Sequence, residues 1–144
     1  MKQLAKKMVT LERDISKKKG DFSFFAIFVR EDLPTHWDLV AAAPWLEADK
    51  KEALSYFAEE LKSRLDMQEL LALARIVFIN EDDPKLKRVQ RDIAVEHDIA
   101  VEHGIAEVRD EEFFGMGMKR AYIITSKRGN KQSDAEADRI GADT

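Results

Sequence analysis

The sequence predicts a single α/β domain. Its core is a mixed sheet of about five strands with flanking helices and a further helix at the N-terminus. Three observations carry this. Residues 24–29 (FFAIFV) and 76–79 (IVFI) are apolar on both faces, the pattern of strands covered on each side. Segments with helical spacing are interleaved with these runs, which is the order of an α/β sheet. The chain is 144 residues long and 44% apolar, enough for one core without covalent staples.

The first helix is predicted over residues 1–19, where Leu4, Met8, Leu11 and Ile15 recur at helical spacing and Gly20 ends the run. The stripe is narrow and its flanks are charged. It suits docking on the domain's own sheet, or a seam with the same helix of a second copy. On the second reading, Leu4, Met8, Leu11 and Ile15 are the binding residues of a homodimer.

Residues 22–30 read as a central strand, 31–36 as a turn around Leu33-Pro34, and 37–43 as a second strand closed by Pro44. The short connection predicts a hairpin. Two helix starts follow. Asp49 with Glu52, and Asp66 with Glu69, have capping-box spacing. The first helix should bury Leu54, Phe57, Leu61 and Leu65; the second, shorter one carries Leu70, Leu71 and Leu73. Residues 75–79 read as a buried strand. Asp83-Pro84 then opens a helix whose apolar face is Leu86, Val89 and Ile93. The last strand is predicted over 119–126, after a turn or bulge at Gly115-Met116-Gly117. Beyond it, 127–144 are rich in Gly, Asn, Ser and Asp without periodicity. The domain therefore spans 1–126, and 127–144 is predicted to be a disordered tail. Two strand–helix–strand connections should be right-handed parallel crossovers, with a hairpin at the C-terminal end.

The sequence contains a hexapeptide duplication. Residues 92–97 and 98–103 are both DIAVEH. A two-copy, six-residue tandem is not a solenoid repeat. A metal site from Glu96, His97, Glu102 and His103 fails on geometry. On a strand the two histidines stand about 20 Å apart, and on a helix they point to sides about 240° apart. The pattern instead changes from helical spacing at Ile93 to alternation at Ile99, Val101 and His103. The first copy should end a helix and the second should begin a strand running to about Val108.

Charge and composition exclude several classes. The net charge is −4, unevenly spread: residues 1–20 hold seven basic and two acidic groups, whereas 21–118 hold 11 basic and 22 acidic. An acidic body disfavours nucleic acid, and Lys17-Lys18-Lys19 is explained as a helix C-terminus. Cysteine is absent, which removes disulfides, thiol nucleophiles and thiolate metal sites. No apolar run approaches the ~20 residues of a membrane span, and no signal sequence opens the chain. A cytoplasmic protein with no membrane contact is expected.

The remaining chemistry lies where ligands gather in open α/β sheets, outside the carboxyl ends of parallel strands. Those ends are predicted to carry Trp45, the run 80–83 (NEDD) and the run 109–111 (RDE), with Lys119 and Arg120 beside them. Glu81, Asp82, Asp110 and Lys119 are therefore the catalytic candidates. Carboxylates beside a lysine suit Mg²⁺ and a phosphate. Asp83 is already used as a cap, and no phosphate loop, dinucleotide fingerprint, nucleophile elbow or zinc-binding helix motif is present. Trp37, Trp45 and the phenylalanines read as core. The sequence thus favours a non-catalytic α/β protein acting through protein–protein interaction or self-association, with no cofactor and no metal. The alternative is a small metal-dependent phosphoester hydrolase or nucleotide-binding enzyme using the acidic cluster.

Overall fold

The computed structural model describes residues 2–93 and 106–127. In chain order the elements are α1 (Lys2–Lys19), β1 (Phe24–Arg30), β2 (Trp37–Ala42), α2 (Pro44–Ala48), α3 (Lys50–Arg64) and α4 (Met67–Ala72). Then come β3 (Leu73–Phe78), α5 (Pro84–Asp92), β4 (Ala106–Phe113) and β5 (Met116–Ser126). The strands form one five-stranded sheet in the order β3-β2-β1-β5-β4.

The most apolar strand sits at the centre. β1 is buried along its length except at Arg30, and pairs antiparallel with both β2 and β5. Alternation divides its side chains between two cores. Phe25, Ile27 and Val29 meet Leu39, Ala41, Tyr122 and Ile124 on one face, covered by α1, α2 and α3. Phe24, Ala26 and Phe28 meet Val40, Ala42, Ala121 and Ile123 on the other, where Leu86 and Val89 of α5 pack.

The expected seam of α1 is buried within its own chain. Leu4 is 4% exposed, and Met8, Leu11 and Ile15 are fully buried. They pack on the sheet and are not a surface between two copies. The sheet face needed a lid, and a narrow apolar stripe fits a sheet as well as a partner helix.

The mixed five-stranded sheet and both hairpins match expectation, but the second crossover differs. β2 and β3 are parallel, joined through α2, α3 and α4. From β3, however, the chain crosses the opposite face as α5 and arrives at the far edge as β4, which is antiparallel to β5. The reason lies in β4 itself. Glu107, Arg109, Asp110, Glu111 and Glu112 crowd it with charge while Val108 and Phe113 alone among its large apolar residues pack on the core, a composition that suits an edge. The two-residue turn Phe114-Gly115, both at positive φ, ties it to β5. Arg109, Asp110 and Glu111 are therefore not at the carboxyl end of a parallel strand. β4 also runs past Val108 to Phe113, and β5 begins at Met116 rather than 119.

Helix starts follow the caps. Asp49 accepts from the Glu52 amide, Asp66 and Glu69 complete a reciprocal capping box, and Asp83 accepts from the Lys85 amide. Pro44, expected only to close β2, also occupies the first turn of α2. Helix α5 stops at Asp92, the first residue of the first hexapeptide copy. The expected switch of structure within 94–103 and the tail 128–144 lie outside the described residues. Among the described residues, no helix is long and apolar enough to cross a membrane.

Candidate functional site

The four catalytic candidates do not converge. Glu81 and Asp82 lie in the turn after β3, at one edge of the sheet; Asp110 and Lys119 lie on β4 and β5 toward the other. Neighbouring strands are about 4.8 Å apart, so β3 and β4 are separated by roughly 19 Å. Asp110 and Lys119 do sit across from each other, at a break in the ladder between the pairs Arg109↔Arg120 and Glu111↔Met118. They form no ion pair. Among the described residues, no three carboxylates or histidines cluster as a metal site. Asp83 is spent on its cap, and the Glu81 amide donates to Glu47 Oε2 at 2.8 Å. Trp45 belongs to the core: its indole donates to the Gly20 carbonyl and its ring stacks on Phe57.

Lys119 lines a small cleft of about 210 Å³ with Val29, Pro34, Thr35, Trp37, Ala72 and Arg120. Thr35 Oγ1 lies 2.9 Å from His36 Nδ1 at its mouth. Among the described residues no third group orients this imidazole, so the pair lacks the support that activates a hydroxyl.

The sheet's open edge at β3 is a different matter. The sequence Arg75-Ile76-Val77-Phe78-Ile79 reads as a strand covered on both sides, yet β3 ends the sheet and is half exposed. Among the described residues, its only paired neighbour is β2. Ile79 N–H donates to the Ala41 carbonyl at 2.9 Å. By alternation Val77 also turns its backbone groups to β2, so those of Ile76 and Phe78 face outward. No strand among the described residues meets them. Residues 76–78 include no lysine or proline, and the one register shift of β3, at Ala74, lies before them. The β4 edge is the opposite case, charged along its length and broken by the left-handed backbone of Asp110, at φ 55.

Apolar side chains border the open edge. Lys50 Nζ reaches Asn80 Oδ1 at the end of β3, which sets the first turn of α3 beside the strand. Leu54, one turn on and on the same side, is 45% exposed although its spacing predicts a core position. At the other end of β3, α4 shows Met67 and Leu71, 69% and 71% exposed. This helix is firmly placed. Trp37 Nε1 donates to the Glu69 carbonyl at 3.0 Å, and Lys7 Nζ donates to Glu69 Oε1 at 2.8 Å. That hydrogen bond holds the Lys7 ammonium above the ordinary lysine range. The exposure of Met67 and Leu71 is thus a feature of a fixed surface.

A buried ionic knot anchors the edge strand from behind. Asp38 on β2, its side chain 2% exposed, accepts from Arg30 Nε at 2.9 Å and Arg75 Nε at 3.1 Å, both on Oδ2. Its Oδ1 has no hydrogen-bond partner among the described residues. Arg75 also contacts Met116 Sδ. One carboxylate therefore joins β1, β2 and β3. Sequence reading missed this knot because a lone Asp in an apolar strand gives no spacing signal. It missed the edge because apolarity on both faces does not distinguish a strand covered by its own chain from one covered by another.

No family model, no curated protein and no solved structure matches this chain.

Proposed function

We propose that this chain is a non-catalytic interaction protein that takes up a partner by strand addition at β3. The observation that carries the reading is the mismatch at that strand: a sequence of buried type occupies a sheet edge, and the outward amides and carbonyls of Ile76 and Phe78 have no strand partner among the described residues. Local patterns that conflict with their place in the fold mark functional sites. Strand addition resolves this conflict, since the added backbone satisfies Ile76 and Phe78 while apolar side chains pack on Leu54, Met67 and Leu71. The hydrolase reading loses its basis, because its four residues are divided between opposite edges.

The test is a titration of dilute full-length protein with a synthetic peptide of residues 73–81, followed by amide exchange. Protection should appear at the Ile76 and Phe78 amides and leave those of β4 unchanged. Binding that protects β4 instead, or no protection near millimolar peptide, the ordinary range of weak affinity, contradicts the reading.

A further inference from the structure

We propose that the cleft beside Lys119 is a binding site for a small phosphate monoester; the site is separate from strand addition and uses none of the β3 edge. β5 changes face at this point. Met118 and Ala121 are three residues apart, and strict alternation would put them on opposite faces, yet both are buried in the core that α5 covers. The register explains it. β1 steps from Val29 to Arg30 while its partners on β5 step from Arg120 to Met118, which leaves Lys119 as an extra residue. Such a bulge re-aims side chains. Lys119 and Arg120, neighbours in sequence, therefore stand on the same face as Val29 and Trp37, and all four line the cleft.

Both cations are open to a ligand. Lys119 makes no ion pair among the described residues. Arg120 is steadied without being neutralised. Its Nη1 donates to the Tyr122 hydroxyl at 3.3 Å, and the carboxylate nearest its Nε, Glu107 at 3.9 Å, is already held by Arg109 at 2.8 Å. No carboxylate is among the described residues that line the cleft, although residues 21–118 hold 22 acidic groups against 11 basic ones. Arginine meets phosphate through its planar fork and lysine as a point charge. A phosphate dianion matches the pair better than a carboxylate, which carries a single charge. The Thr35 hydroxyl adds a donor at the mouth. The remaining lining is apolar, which suits an ester with an apolar body. An apolar cavity of about 150 Å³ holds one benzene ring. The cleft, at about 210 Å³, thus takes one ring-sized body with its phosphate. It falls short of the roughly 300 Å³ at which pockets for drug-sized ligands begin.

The test is an NMR titration of isotope-labelled full-length protein with phenyl phosphate, with phenol and inorganic phosphate as its two halves. Phenyl phosphate should give saturable shifts at the Thr35, Lys119 and Arg120 amides and at the Trp37 indole N–H, half-complete near millimolar ligand or below. Each half alone should bind about tenfold more weakly or worse. Lys119→Glu, at an exposed position, should weaken phenyl phosphate by about tenfold or more, the scale of one charge-assisted hydrogen bond, and leave the rest of the amide spectrum in place. Lys62→Glu, an equal change of charge on the exposed side of α3, should leave binding unaltered. A short phosphotyrosine peptide distinguishes the source of the ester: binding tighter than phenyl phosphate at the same residues assigns it to a modified protein, and equal or weaker binding to a free small molecule. Absence of saturable shifts at these residues up to about 10 mM phenyl phosphate, equal binding of phenol, or equal losses from Lys119→Glu and Lys62→Glu overturns the site.

Discussion

Replacing Asp38 with alanine should destabilise the protein by about 3 kcal/mol, the scale for removing one partner of a buried ionic group. The carboxylate holds Arg30 and Arg75 on a single oxygen, and Arg30 is itself only 17% exposed. Without Asp38 the two guanidinium groups lose the carboxylate between them, and Arg75 loses its one ion pair among the described residues. Arg30 retains Asp32 at 3.2 Å, a solvent-exposed partner that compensates little. For a chain of this size, the loss corresponds to a fall in Tm of roughly 6–12 °C. Asp38→Asn keeps an acceptor for one arginine and should lose less. Urea denaturation of both variants measures the difference, and a loss below about 1 kcal/mol for Asp38→Ala would show the knot to be incidental.

Leu11→Glu should have a larger effect. Leu11 is fully buried between α1 and the sheet. A carboxylate there has no water, and burying an unpaired charge exceeds about 4 kcal/mol. Loss of cooperative unfolding is the expected result, with Leu11→Ala costing about 2–5 kcal/mol. Had the Leu4/Met8/Leu11/Ile15 stripe been a surface between copies, Leu11→Glu would give a folded monomer. Circular dichroism with sedimentation of the variant separates the two outcomes.

The legible parts of the fold were those written in local chemistry. Asp49, Asp66 and Asp83 announced helix starts, and each caps one. The FFAIFV run announced a central strand, and β1 is central. What local pattern could not give was pairing order. A helix between β3 and β4 suggested a parallel crossover, but the charges on β4 and the Phe114-Gly115 turn sent that strand to the far edge. Burial was legible only as a demand. Leu4, Met8, Leu11 and Ile15 needed a cover and found it in the sheet. Leu54, Leu71 and the β3 run show the same demand, and among the described residues it remains open. The proposed catalytic cluster failed for the same reason as the crossover: its members were brought together only by assumed strand directions.

Backbone amide exchange at Ile76 and Phe78, measured on the full chain with and without a synthetic peptide of residues 73–81, tests the central claim most directly. Neither amide has an acceptor among the described residues, so each reports only what is added to the edge. Strand addition at β3 predicts protection of Ile76 and Phe78 that appears only with the peptide, together with protection at Val77 present throughout because its amide faces β2. Unchanged exchange at both amides with the peptide near millimolar concentration, or protection of β4 in their place, would contradict strand addition at β3.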